Sequence, residues 1–342
     1  MTETLPKLPP EWAPQERLLI GWPSHPAPWE EPFEAAREEV ASLAKHLINA
    51  GESLADEATK VVLVVDGQVA EAAARKMVPG AEIINLPCGD TWVRDTAPIF
   101  SRDGEKLHAR SFRFNGWGGK YVYQGDAELS EALSGRLADD MKRFDFILEG
   151  GSVDFDGAGH LLTTEDCLLN VNRNKGWTRE IAEARLKDAF GVEHIIWLID
   201  GLLNDHTDSH VDNIARFVAP GHALCQAPQP DDPHTERLKA VEADLRNWRG
   251  AGGEALTVTT IPSPGRVLDD EGCVMPASHM NFVITNQAVI VPVYNDRGYD
   301  AVEALKPFFP GREVIASSAQ AILTGGGAFH CISQQIPAVS KG

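Results

Sequence analysis

Residues 213–226, NIARFVAPGHALCQ, carry the pattern that decides the fold class. Two short strand-forming runs, 213–218 and 222–226, flank Ala219-Pro220-Gly221, which reads as a hairpin turn. A helical pattern follows over 233–248. The same sequence of events recurs in both directions. Downstream, runs 280–285 and 288–293 form a second hairpin, followed by a helix over 301–309 and a strand over 313–316. Upstream, strands 144–148 and 161–169 enclose Asp156-Gly157-Ala158-Gly159, and helix 178–190 and strand 194–199 come next. Before those lie strand 107–114 and a helix predicted over 126–143. KVVLVVD at 60–66 is an apolar, β-branched run of strand length, followed by helix 68–77 and strand 81–86. Phe33, Val40, Leu43, Leu47 and Ile48 recur at helical spacing within 31–50, and Gly51 stops that helix. Helices among pairs of short strands indicate an α/β fold rich in hairpins, not the one-to-one alternation of a doubly wound sheet. With no exact repeat and no low-complexity linker, residues 1–342 are expected to form a single domain.

The chain is acidic, with a formal net charge of −19. Such a charge repels nucleic acid and favours cationic ligands, although simple solubility explains it as well. The N-terminal stretch 1–14 is polar and Pro-rich and does not read as a secretory signal. No apolar run approaches the ~20 residues of a membrane helix. The five cysteines, Cys88, Cys167, Cys225, Cys273 and Cys331, are widely spaced and odd in number. They suit neither a disulfide framework nor a four-thiolate zinc site, so a reducing, cytoplasmic setting is expected.

Four clusters have the residue types that chemistry needs. Cys88 to Pro98 (CGDTWVRDTAP) packs carboxylates, Arg94 and Trp92 into a turn-rich loop; the competing reading is a loop staple around a core Trp. Glu149-Gly150-Gly151-Ser152 ends an apolar strand with a carboxylate and two glycines, which permit positive φ or close approach. In His206-Thr207-Asp208-Ser209-His210-Val211-Asp212-Asn213, alternate residues of an extended chain would share a face. His206, Asp208, His210 and Asp212 could then bind a metal or supply an acid/base pair, or simply form a polar loop. Finally, Gly325-Gly326-Gly327 lead into His330-Cys331, the best-placed of the thiols for reaction. Together these suggest covalent chemistry on a cationic substrate.

At this point the sequence resembles the agmatine deiminases and their relatives, including the bacterial type of peptidylarginine deiminase. The resemblance rests on motifs spread over nearly the whole chain. They are Pro10-Glu11-Trp12 with Gly21-Trp22-Pro23, Trp92-Val93-Arg94-Asp95, Phe114 to Lys120 (FNGWGGK), Glu149-Gly150-Gly151-Ser152 to Asn172-Arg173-Asn174, His210-Val211-Asp212, Asn281-Phe282, and Gly325 to Gln335 (GGGAFHCISQQ). It implies a pentein fold, five ββαβ-like units about a pseudo-fivefold axis with the active site at the centre. It implies Cys331 as nucleophile, His210 as general acid/base, and Glu149 as the carboxylate beside that histidine. Asp95 and Asp212 are then the pair that grips the guanidinium, and Trp92 lines the substrate channel. The implied substrate is a small cationic guanidine, agmatine, with no metal, no cofactor, no nucleic acid and no membrane partner. A homo-oligomer is left open. Two other classes stand beside this one: a metal-dependent hydrolase centred on residues 206–212, and a silent guanidine-binding protein. The chain departs from the family pattern at Ala97, His279, Ala328-Phe329, Ser333 and 202–206, of which several bear on the outer pocket.

Overall fold

The computed structural model describes residues 6–29 and 32–339. The expected helix start at Glu31 and the first residues of the polar N-terminal stretch lie outside the described residues. Among the described residues the strands form five small sheets. The first contains β1 (Gln15–Gly21), β2 (Lys60–Val65) and β3 (Glu82–Asn85). The second holds β4 (Ile99–Asp103), β5 (Lys106–Arg113) and β6 (Asp140–Ile147). The third holds β7 (Asp154–Phe155), β8 (His160–Thr164) and β9 (His194–Leu198). The fourth holds β10 (Ala215–Ala219), β11 (His222–Ala227) and β12 (Thr257–Pro262). The fifth holds β13 (Val283–Ile284), β14 (Ala288–Val293) and β15 (Glu313–Ser318). The last strand, β16 (Ser333–Pro337), returns to the first sheet, where it pairs antiparallel with β1.

Each unit has one connectivity. An antiparallel pair is followed by a helix, and the helix returns the chain to a third strand parallel to the second. Thus β10–β11 is antiparallel and β11–β12 parallel, with helix Thr235–Asn247 as the crossover. The corresponding crossovers are Phe33–Gly51, Asp126–Leu137, Arg179–Phe190 and Gly298–Leu305, and the first sheet adds β3 parallel to β2 through a further crossover helix, Gly67–Met77. A parallel strand needs such a crossover, because a tight turn cannot reverse the chain twice.

The strands explain how the units close on one another. Side chains alternate across a strand, and here the two faces of one sheet belong to two different cores. Val61, Leu63 and Val65 enter the core shared with the fifth sheet, while Val62 and Val64 enter the core shared with the second. Leu161 and Leu162 divide likewise between the second–third and third–fourth cores. Leu224 and Val289 meet in the fourth–fifth core, while Ala223 and Ile290 face the neighbouring cores on either side. Five shared cores therefore join five sheets into a closed ring, the pentein arrangement. Burial on both faces is why the strands read as near-continuous apolar runs.

Three expected elements are corrected. The strand expected over 161–169 ends at Thr164, and Glu165–Leu168 forms a helical turn. The helix expected over 126–143 ends at Leu137, and β6 begins at Asp140. Pairing with β5, from His108↔Asp140 to Arg113↔Ile147, captures a charged segment that locally continues the helical pattern. The strand expected over 280–285 contracts to Val283–Ile284. The Met280 carbonyl instead accepts from Arg216 and the Asn281 carbonyl accepts from the His330 amide, so the backbone here serves the interior and not a ladder.

Candidate active site

Five segments that pass from one sheet to the next converge at the centre of the ring. After β3, a short helix Val93–Thr96 presents Asp95. After β6, Glu149 precedes the 3₁₀ turn Gly150–Ser152. After β9, His210 precedes the turn Val211–Asn213, which carries Asp212. The passage from β12 to β13 supplies Asn281, and the passage from β15 to β16 supplies Cys331. The sequence-expected Cys331, His210, Glu149, Asp95 and Asp212 are all buried.

The contacts are close. Cys331 Sγ lies 3.6 Å from Asp212 Oδ2 and accepts a hydrogen bond from Asn281 Nδ2 at 3.0 Å. Asp95 Oδ1 accepts the Gly151 amide at 2.9 Å and its Oδ2 accepts the Trp117 indole N–H at 2.9 Å. The same Oδ1 stands 3.7 Å from His210 Nδ1. Arg173 Nε donates to Glu149 Oε1 at 2.5 Å, and Glu149 and His210 place donor atoms within 4.8 Å of each other. Gly151 is where these groups meet. A Cβ there would stand 2.6 Å from His210 Nδ1, 3.0 Å from Asp95 Oδ1 and 3.1 Å from Asp212 Oδ2. The glycine is therefore required for close approach and not for a positive φ.

Electrostatics divides the two aspartates. Burial, reinforced by Asp212 and Glu149, drives the Asp95 carboxyl well above its usual range. Burial also pushes Asp212 up, but the hydrogen bond and charge of His330 outweigh it and hold Asp212 below that range. His330 Nδ1 lies 2.7 Å from Asp212 and its Nε2 lies 2.9 Å from Glu11. Both ring nitrogens face carboxylate oxygens, so the ring joins Asp212 to Glu11. Glu11 is also bound to the buried Arg216, which reaches Asp154 at 3.1 Å. An alternating chain of buried charges thus stands behind Asp212.

Burial, with the charges of Asp212 and Asp95, raises the Cys331 thiol well above its usual value. Burial pushes His210 down to about 3, so it is neutral at pH 7. A protonated His210 holding a thiolate is therefore not the state of the free site. Four kinds of buried polar atom here have no partner among the described residues: both His210 ring nitrogens, Glu149 Oε2 and Asp212 Oδ1. Such orphans are rare in folded proteins and mark a place built for a ligand.

A cavity of about 110 Å³ leads to Cys331 and Asp95, with Trp92, Trp117, Tyr121 and His206 on its walls. Trp92 thus lines the channel, stacked on Trp29 with ring centroids 5.8 Å apart. The extended face expected of residues 206–212 does not form. Asp208 and Ser209 both have positive φ, which turns the chain. His206 goes to the channel wall beside Tyr121, Asp208 pairs with Lys120 and Arg173, and Asp212 turns to His330. Among the described residues, the His/Cys/carboxylate group that gathers in metal-binding fashion is Glu149, Cys167 and His210, of which Glu149 already holds Arg173. The metal centre proposed for 206–212 is therefore not built.

Sequence reading gave no role to Asn281, His330, Glu11 or Trp117, although each sits in a recognised motif. Their signal lay in those motifs, and only the fold shows what they touch. The family departures are mostly absorbed away from the channel. Phe329 is a core side chain, Ala97 takes ordinary extended backbone, and His279 Nδ1 donates to the Pro262 carbonyl at 2.8 Å.

Comparison with known proteins agrees with this architecture. Residues 7–337 match the model of the Porphyromonas-type peptidyl-arginine deiminase family. The chain is 35% identical to an agmatine deiminase of Pseudomonas syringae pv. tomato, across 98% of this chain and 96% of that one. It is 36% identical to one of Stutzerimonas stutzeri, across 97% and 95%. The structure of the Enterococcus faecalis agmatine deiminase superposes with a TM-score of 0.88 at 30% identity, covering 98% of this chain and 96% of that one. A substrate-bound C. jejuni agmatine deiminase variant gives a TM-score of 0.82 at 29% identity, covering 98% and 97%. On its sequence, its five-unit ring and its full-length relatives, the chain is a member of the Porphyromonas-type peptidyl-arginine deiminase family.

Proposed function

We propose that this chain is an agmatine deiminase, a hydrolase that converts agmatine and water to N-carbamoylputrescine and ammonia, acting as one catalytic domain. The observation that carries the reading is the buried meeting of Cys331, Asp212, Asp95 and His210 around Gly151, with polar atoms that find no partner in the fold. A guanidinium is planar and offers a fork of N–H donors, and two carboxylates can hold that fork and fix its carbon before the thiol. The cation offsets the negative field that keeps Cys331 protonated. The thiol proton passes to His210, and the thiolate attacks the guanidinium carbon. The C–N bond of the tetrahedral adduct breaks as His210 returns its proton to the departing nitrogen, and ammonia leaves. A thiouronium on Cys331 remains. His210 then takes a proton from water, whose oxygen attacks the same carbon; the C–S bond breaks, the proton left on that oxygen goes to solvent, His210 returns its proton to the Cys331 thiolate, and the ureido product departs. Glu149, held by Arg173, stands within 4.8 Å of His210, where its charge would stabilise the imidazolium that forms during the reaction. No step in this scheme uses a metal or cofactor.

The small cavity favours a free guanidine over a peptidylarginine, since a bulky chain would have to pass Trp92, Trp117 and Tyr121. The five free cysteines support a reducing, cytoplasmic setting. The test is ammonia release from agmatine, arginine and a peptidylarginine mimic, with chelator present, for wild type and Cys331→Ala. Turnover of agmatine that Cys331→Ala abolishes is the expected result. Activity that survives in Cys331→Ala, or that chelator removes, would overturn the scheme. Binding without turnover in wild type would instead favour a silent guanidine-binding protein.

A further inference from the structure

Asp90 lies on the wall of the cavity that ends at Cys331 and Asp95. Its Oδ1 accepts the Thr91 amide at 2.7 Å and its Oδ2 accepts the Trp92 indole N–H at 2.8 Å. The charge nearest to it is no counter-ion but a second carboxylate. Asp126 Oδ1 accepts the amides of Gly89 and Asp90 at 2.7 and 3.2 Å, and its Oδ2 is buried without a partner among the described residues. A desolvated carboxylate beside another is costly unless a cation joins them.

Trp92 fixes how far this carboxylate stands from the reacting end. The six-membered ring of the indole packs on Gly325 and Gly327, and a Cβ at Gly327 would stand 2.7 Å from Trp92 Cζ3 and 3.1 Å from Cys331 Sγ. The opposite side of the same indole, Nε1, holds Asp90. One end of the Trp92 ring system therefore borders the thiol and the other borders Asp90. A linear guanidine lying along that ring has its guanidinium at Cys331 and its tail at Asp90.

We infer that Asp90 receives the ammonium tail of the substrate and so selects guanidines that carry a second positive charge at the far end of a short alkyl chain. The inference rests on the deiminase reading and gives its site a second anchor. The same placement disfavours free arginine, whose α-carboxylate would meet Asp90 and Asp126. Asp90→Asn removes the charge but leaves one acceptor oxygen for two N–H groups, so the loss it causes on a guanidine without an amine measures the bracing share of Asp90.

The experiment compares agmatine with 1-butylguanidine, which has the same four-carbon chain without the amine, in wild type, Asp90→Asn, Asp90→Glu and Trp92→Phe. For a guanidine turned over slowly, the inhibition constant replaces KM. Asp90→Asn should lower kcat/KM for agmatine by ~10- to 100-fold, the range of a lost charge-assisted hydrogen bond, chiefly through KM. For butylguanidine it should change by less than about threefold, and Asp90→Glu should recover part of the agmatine loss. Trp92→Phe, which removes the indole donor but not the charge, should weaken both guanidines alike. Equal losses on both substrates in Asp90→Asn, matching Trp92→Phe, would show that Asp90 only braces the wall, and would overturn the inference while leaving the deiminase reading intact. Failure of wild type to turn over either guanidine would remove the deiminase reading and this inference with it.

Discussion

Gly151→Ala adds one methyl group at the point where His210, Asp95 and Asp212 meet. The new Cβ would stand 2.6 Å from His210 Nδ1, against the ~3.5 Å at which non-bonded heavy atoms are at ease. Asp95 Oδ1 and Asp212 Oδ2, at 3.0 and 3.1 Å, leave no free side on which the methyl can settle. Relief requires the imidazole, or the backbone that carries it, to move by on the order of 1 Å. A misplacement of that size costs ~100-fold in rate, or about 2.7 kcal/mol in the barrier. The stability cost should be smaller. Overpacking destabilises by ~1–3 kcal/mol, and replacing glycine with alanine offsets ~0.4–1 kcal/mol of that by restricting the unfolded chain. The assay is kcat and KM for agmatine alongside urea unfolding of the same preparation. Gly135→Ala serves as the control: Gly135 lies inside helix Asp126–Leu137 and nothing stands within 4 Å of its added Cβ. That variant should be stabilised by roughly 0.5–1 kcal/mol with unchanged activity. Wild-type kcat/KM in Gly151→Ala would refute the reasoning, because the three groups would then tolerate displacement and their packing about Gly151 would not organise the chemistry.

Other predictions follow from the same contacts. Glu11→Gln keeps the shape but leaves the buried Arg216 and His330 without their shared carboxylate, and should destabilise by ~3–5 kcal/mol in urea unfolding; a change under about 1 kcal/mol would mean that this charge chain is not a supporting one. Asn281→Ala removes the donor to Cys331 Sγ and the acceptor for the His330 and Cys331 amides, so kcat should fall by ~10- to 100-fold; an unchanged kcat would exclude Asn281 from positioning the thiol. Burial depresses His210 to about 3, whereas the unfolded residue titrates near 6.5, so the unfolded chain binds the additional proton between those values. Stability from this group is therefore present above about pH 6.5 and lost as pH falls, and His210→Gln should reduce the stability difference between pH 7 and pH 4.5 by about 2 kcal/mol. An unaltered slope would mean that His210 is not buried neutral. In the free enzyme, iodoacetamide should modify Cys331 at a rate still rising above pH 9, since burial and the two aspartates raise its thiol; a plateau below pH 8 would show a preformed thiolate.

The strands and crossover helices were legible because the physics that forms them is local. KVVLVV and AVIVPV are apolar and β-branched whichever unit they join, and both are strands. The boundary at Leu137 was not legible, since the segment after it is charged and amphipathic and becomes a strand only by pairing with β5. The ring itself left no exact repeat to find. Its unit needs apolar residues on both faces of each strand, and many residue choices satisfy that equally well. For the site, residue types and motifs named Cys331, His210, Glu149, Asp95, Asp212 and Trp92, and the fold brings all of them to one place. What could not be read was the second layer. Glu11 reaches His330 across 319 positions, and Trp117 reaches Asp95 across 22. Nor does alternation along 206–212 survive the two left-handed residues, Asp208 and Ser209, which send His206 and His210 to different walls.

The division of labour between Asp95 and Asp212 follows from that hidden layer. Two buried carboxylates beside one thiol would, on their own, each resist ionisation. His330, held in turn by Glu11 beside Arg216, holds the Asp212 carboxyl below its usual range, while Asp95 has only the neutral donors of Trp117 and Gly151. The free site thus carries one fixed negative charge and one carboxyl that favours its proton, beside a thiol that favours its own. On the proposed scheme an arriving guanidinium reverses both preferences, because a cation next to either group stabilises its ionised form. Binding and activation then become a single electrostatic event. A neutral molecule of the same shape could enter the channel without arming the nucleophile.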